Sequence, residues 1–363
     1  MLPYIFIFFV ISFFSFLDMT RCPKTVRILF FIFCTLILVF FAGFREAGVG
    51  ADDVNYVSKF YEIPNIFKWM SGFYNYSYSN EKMELGYIAL NSFVKVFSSN
   101  YTILFLSVSL ISVGMAAYNY YKYSRYAFLT LLLFFVHTYL YRDMNQIRAA
   151  IAAAIGLFLI FQIHEKNHLK SIVLVFLAGF FHTAALSYFF AYIFSFIKIS
   201  PKKIFFLLGV SIIVGYIGVS ELLLSNLPDL GYITVKLEGY SESVYANTVK
   251  LFDLTNIKGI VFLSLFAFFW NGLKYKVPYF ETAMSFYTLA VCWRIAFSDF
   301  GIFAARIATF FGIVEVVLVP CLAFLLKQKL AAFFIIFLYA FLTLWLNLFV
   351  KEGRYPYELA FGA

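Results

Sequence analysis

The chain has 363 residues, of which 63% are hydrophobic and only 13% charged, with a formal net charge of +9. A soluble protein needs a charged surface, so this composition, with a mean hydropathy of +0.87, excludes a water-soluble enzyme and points to a polytopic membrane protein. The apolar runs are too long for barrel strands and do not alternate, which leaves a helix bundle, because lipid offers no partner to open backbone groups.

In chain order, apolar runs predict spans near 2–18, 28–44, 101–120, 126–141, 147–163, 204–222, 257–273, 280–298, 305–326 and 330–349. The first run has no basic n-region and no small-residue cleavage site, so it reads as a retained span. Arg21, Lys24 and Arg27 place the first loop in the cytoplasm and the N-terminus outside. Residues 84–98 are amphipathic and interrupted by polar residues, which fits an external interfacial helix better than a crossing. Lys122, Arg125, Lys166 and Lys170 then fall inside as well.

The run 171–197 has two readings. A single tilted helix would reach about 40 Å and would flip every later turn. Two half-helices of about 17–21 Å each would enter and return, with the bend near Phe181-His182-Thr183. The second reading is preferred, because it keeps Lys198, Lys202, Lys203, Lys274, Lys276, Lys327 and Lys329 inside. The expectation is therefore an all-α polytopic integral membrane protein of about 10–12 transmembrane helices, with a broken helix pair and an external interfacial helix. It forms a single transmembrane domain over 1–363, with external loops at 45–100 and 223–256.

Charge sorts by side in this topology. Inside turns are mostly lysine, which suffices as a topological anchor, so the net positive charge needs no nucleic-acid partner. The outer face holds Arg45, Arg142, Arg148, Arg306 and Arg354, with Arg294 inside a span. A planar guanidinium fork suits bidentate capture of phosphate or carboxylate.

The densest polar cluster is Tyr141-Arg-Asp-Met-Asn-Gln-Ile-Arg148, between two apolar runs and followed by small residues that let helix backbones approach. Arg142 and Arg148 read as a clamp for an anionic substrate, against interfacial snorkelling or pairing with Asp143. Asn145 and Gln146 add neutral donors for sugar hydroxyls or phosphate oxygens. In the glycine-acid turn from Arg45 to Tyr56, Asp52 or Asp53 reads as a general base or orienting group, against a solvated loop with a helix cap. His182 at the proposed bend suits proton transfer, against a satisfied core histidine. Arg306 enters a span from outside and is costly unless used or paired. Arg294 reads as a structural partner of Glu315. The four cysteines form no CxxC and the four histidines no HExxH, so neither a metal nor a cofactor is called for.

These motifs resemble the EpsG/Wzy-type polysaccharide polymerases of bacteria. The features that carry the resemblance are Phe44-Arg45 with the turn ending Asp53-Val-Asn-Tyr56, Glu84-Leu-Gly-Tyr87, Gln146-Ile-Arg148-Ala-Ala-Ile-Ala152, Ala178-Gly-Phe-Phe-His182-Thr-Ala-Ala-Leu186 and Ala305-Arg306. The doubled acid Asp52-Asp53 departs from the more usual Gly or Thr before a single Asp. The resemblance implies an enzyme of the bacterial cytoplasmic (inner) membrane whose active site faces outside. It would transfer a glycan from a polyprenyl-diphosphate lipid to a sugar hydroxyl on a second lipid-linked repeat unit. In that chemistry Arg142, Arg148, Arg306 and Arg45 would bind diphosphate and Asn145 and Gln146 sugar, while His182, Asp53 or Asp52 would take the proton. Its partners would be lipid-linked glycans and membrane lipid, with room for a chain-length regulator and a flippase. An O-antigen ligase would use the same donor. A lipid-linked oligosaccharide flippase would also need cationic residues, but along a path open to both sides rather than on one face.

Overall fold

The computed structural model describes residues 1–72, 83–218, 249–351 and 354–361. The end of the run 204–222 and parts of the loops 45–100 and 223–256 lie outside the described residues. Among the described residues every regular element is helical, and extended backbone pairs only at the isolated bridge between Arg45 and Leu359. Five helical segments are long and apolar enough to cross a membrane: Lys24–Gly43, Tyr101–Tyr123, Ile147–His164, Gly301–Leu325 and Lys329–Val350. Shorter apolar helices accompany them, including Leu2–Asp18, Ala127–Tyr139 and Leu254–Phe268. This is the all-helical polytopic membrane architecture that the composition demands.

The chain packs as two compact units. The first comprises Met1–Leu159, Val173–Leu186 and Pro320–Ala363, and the second Ile160–Ile172 and Ser187–Val319.

In the first unit, α1 (Leu2–Ser15), α2 (Lys24–Gly43), the short α3 (Asp53–Glu62), α4 (Ile66–Met70) and α5 (Leu85–Val94) precede α6 (Tyr101–Tyr123) and α7 (Ala127–Phe134). Helix α2 buries Phe31, Cys34, Leu38, Val39 and Phe41 and leaves Leu29, Ile32, Phe33, Leu36 and Phe40 exposed. Three- and four-residue spacing thus divides one apolar helix into a packed face and a lipid face. Polar groups hold the packed face: Ser109 Oγ donates to the Val39 carbonyl at 2.9 Å, and Tyr139 OH to that of Leu38 at 2.6 Å. Helix α7 widens into a π turn at Phe135–Tyr139, where Asn347 donates to the Val136 carbonyl at 2.6 Å. The expected interfacial segment is α5. Its ten residues span about 15 Å, too short to cross, and Tyr87, Ile88, Asn91 and Ser92 are buried.

After α8 (Ile147–His164), α9 (His168–Phe181) stops where the sequence places the bend. A 3-10 turn, Thr183–Ser187, follows His182. In a straight helix Gly179 and Leu186 would lie about 10 Å apart along the axis. Here a methyl group built on Gly179 would meet a Leu186 methyl at 2.3 Å, so the chain folds back at His182.

The second unit contains α10 (Tyr188–Phe194), α11 (Pro201–Ile217), α12 (Leu254–Phe268), α13 (Trp270–Lys274), α14 (Phe280–Ala296), α15 (Gly301–Phe311) and α16 (Glu315–Cys321). The expected Arg294–Glu315 pair does not form. Arg294 instead donates to Asp253 at 2.6 Å, while Glu315 accepts from Lys258 at 2.7 Å and from Tyr287 OH at 3.2 Å. The reason is local: Asp253 is the N-cap of α12 and already accepts from the Asn256 amide at 2.6 Å, so its carboxylate is fixed within reach of the arginine. Helix α17 (Lys329–Trp345) returns the chain to the first unit.

Candidate active site

The first unit brings most of the sequence-singled residues into one connected network. Its base is the buried pair of Arg45 and Asp53, both 0% exposed. Arg45 Nε donates to Asp53 Oδ2 at 2.9 Å and Nη2 to Oδ1 at 2.7 Å, a two-bonded fork, while Nη1 donates to the Ala42 carbonyl at 2.6 Å. The guanidinium also lies over the Phe105 ring at 4.3 Å. Asp53 accepts a third bond from the Gly50 amide at 2.7 Å, so both of its oxygens are engaged.

The glycine-acid turn rests on the polar cluster after α7. A Cβ on Gly50 would meet the Met144 carbonyl at 2.2 Å, so only glycine permits this approach. Next to it, the Asp52 amide donates to Asn145 Oδ1 at 2.8 Å. Asp52 itself is partly exposed at the N-cap of α3 and makes no side-chain cap bond. Arg142 is 3% exposed, and Asp143 beside it accepts from Ser112 Oγ at 2.5 Å. Burial pushes the Asp143 carboxyl up to about 7, against the opposing pull of Ser112, Arg45 and Arg142. Gln146 donates to Tyr141 OH at 3.2 Å on the exposed side of the turn.

Arg148 opens α8 and reaches the other wall. Its Nη1 donates to Glu84 Oε2, its guanidinium lies over the Tyr56 ring at 5.7 Å, and Tyr56 comes from the first turn of α3. Glu84, the N-cap of α5, uses its second oxygen on the helix break: Oε1 accepts from the Thr183 amide at 3.0 Å and from Thr183 Oγ1 at 2.9 Å. A Cβ on Gly86 would meet the Phe180 carbonyl at 2.7 Å, which explains how α5 comes so close to the end of α9. At the break, the Ala184 amide donates to His182 Nδ1 at 3.3 Å. The chain of contacts therefore runs from Asn145 to Asp52, whose carbonyl accepts from the Tyr56 amide at 3.2 Å, and on through Tyr56, Arg148 and Glu84 to Thr183, next to His182. Arg306 lies on α15 in the second unit and is partly exposed.

Sequence reasoning missed several members of this network. Glu84 stands out only as part of the resemblance, since its partners lie 64 and 99 positions away. The tail gives no signal of its own, yet it straps the site. Arg354 donates to the Leu140 carbonyl, Tyr357 stacks on Phe41 at 3.9 Å, and backbone bonds join Glu46 to Glu358 and Phe44 to Ala360.

The family model of the EpsG family matches residues 28–359. Over 314 residues the chain is 28% identical to the amylovoran biosynthesis protein AmsC of Erwinia amylovora, covering 85% of this chain and 82% of that protein. No solved structure matches the chain. With a family model covering nearly its whole length, the chain belongs to the EpsG family.

Proposed function

We propose that the protein is a polysaccharide polymerase that joins polyprenyl-diphosphate-linked repeat units at the outer face of the bacterial cytoplasmic membrane. The observation that carries this reading is the joined network of Arg148, Tyr56, Glu84 and the helix break at His182, in a chain whose curated relative serves amylovoran biosynthesis. In the reaction, the bond between the anomeric carbon and the diphosphate oxygen breaks, and its electron pair leaves with the polyprenyl diphosphate. The acceptor hydroxyl oxygen bonds to that carbon and loses its proton to a base. The protein must neutralise charge that grows on the diphosphate, and fixed cations in a water-poor site do this without reorganisation.

In this account Arg148 and Arg142 hold the diphosphate, and Asn145 and Gln146 meet sugar hydroxyls. Arg45 and Asp53 take a positioning role, because each satisfies the other out of contact with water. Of the three proton acceptors expected from the sequence, the geometry favours Asp52, whose backbone is pinned while the residue stays partly exposed. With the Ala184 amide aimed at Nδ1 of His182, a proton on that nitrogen would face another donor. That contact favours the tautomer with its hydrogen on Nε2.

The test is the polysaccharide profile of a strain lacking the protein, on a gel that resolves single repeats. Loss of the ladder with single capped units surviving is the expected result. Lipid-linked units trapped inside the cell would instead indicate a flippase, and free polymer on carrier lipid a ligase.

A further inference from the structure

We propose that Glu84 is the positioning residue that couples the diphosphate-binding Arg148 to the His182 break, an inference that rests on the polymerase reading above. Three observations carry it. The Glu84 side chain is 4% exposed, yet its two oxygens serve different elements, one Arg148 on α8 and the other the backbone and hydroxyl of Thr183. Gly86, two residues on, admits the Phe180 carbonyl to a distance that no Cβ would tolerate, so the whole start of α5 is built against the break. Thr183 and Ala184 present successive amides at the break, the first to Glu84 and the second to His182 Nδ1. One carboxylate thus sets the direction of a guanidinium and, through Thr183, the turn whose next amide meets His182 Nδ1. A buried carboxylate facing an arginine is normally read as neutralising it. Here the second oxygen, spent on the helix break, makes Glu84 a bridge between a charge-binding group and a proton-carrying group.

The experiment is a double-mutant cycle on the full-length protein in lipid nanodiscs. It compares Glu84→Gln, Arg148→Ala and the double variant by binding of inorganic pyrophosphate and, in the complemented deletion strain, by the yield of long chains. Glu84→Gln keeps an oxygen for Thr183 but loses the charged partner of Arg148. It should weaken pyrophosphate binding and cut long chains by about ten- to a hundredfold, the range of a lost charge-assisted hydrogen bond. In the Arg148→Ala background it should add little, because its main client is gone. Glu84→Asp keeps the charge but is one methylene short of serving both partners, and it should restore pyrophosphate binding without restoring long chains. That split between binding and turnover is one that a residue needed only for folding would not give. Should Glu84→Gln fail to accumulate in the membrane, the Glu84→Asp split carries the test alone. Fully additive losses in the cycle, or an Arg148→Ala strain without long chains beside a Glu84→Gln strain with a normal ladder, would overturn the role given to Glu84. A normal ladder from Arg148→Ala itself would overturn the polymerase mechanism instead.

Discussion

Replacing Asp53 with asparagine separates a structural carboxylate from a catalytic one. Asp53 accepts from Arg45 Nε at 2.9 Å, from Arg45 Nη2 at 2.7 Å and from the Gly50 amide at 2.7 Å. An amide group in its place sets a donor against the guanidinium and leaves a cation buried without its counter-charge. Breaking a buried ion pair from one side costs about 3–5 kcal/mol. At about 2 °C per kcal/mol for a chain of this size, the melting midpoint of the purified protein should fall by about 6–10 °C. Arg45→Met combined with Asp53→Leu replaces the pair with apolar volume and should recover most of that loss. Long-chain yield should track the amount of folded protein in both variants. An Asp53→Asn protein that melts like the wild type and makes no long chains would refute the reasoning, and would place Asp53 in the chemistry.

Other consequences follow from the same geometry. Arg148→Ala should abolish long chains while single units remain attached to acceptor lipid, with a loss of about a hundredfold or more, as for other donors to developing negative charge. Lysine at that position should rescue poorly, because the fork is lost, and this is read on the same gel. Gly50→Ala should lower the melting midpoint, since its methyl group would meet the Met144 carbonyl at 2.2 Å and push the acid turn off the Asn145 loop. The raised Asp143 carboxyl, about 7 in the fold, gives a pH dependence of known sign. Its stabilising share is complete below the unfolded carboxyl value of about 4 and is lost as pH rises through about 7. The melting midpoint should therefore decline across that window, and Asp143→Asn should flatten the decline.

Much of the architecture was legible because membrane insertion constrains it tightly. Apolar run lengths gave the helices, and the length of 171–197, together with the side that the positive-inside rule assigns to its flanking lysines, gave the break at His182. The polar cluster from Tyr141 to Arg148 stood out because charges are rare in such a chain. Partner choice was less legible. Arg294 found Asp253 rather than Glu315 because a helix cap had already fixed that carboxylate, a detail that span counting does not contain. Glu84 and the Arg354–Phe361 tail act through partners far away in sequence, and much of the tail's hold is backbone bonding, which side-chain chemistry does not announce. Asp52 and Asp53 look equivalent as letters. They differ only once Arg45 and Gly50 have claimed the second of them.

The most direct measurement supplies the purified protein, in lipid vesicles, with lipid-linked repeat units extracted from the deletion strain. Sugar chain length and released polyprenyl diphosphate are then followed together. Chain growth with one polyprenyl diphosphate released per new linkage, lost in Arg148→Ala, is the expected result. Units that remain single while they cross the vesicle membrane, or diphosphate release without chain growth, would contradict the account.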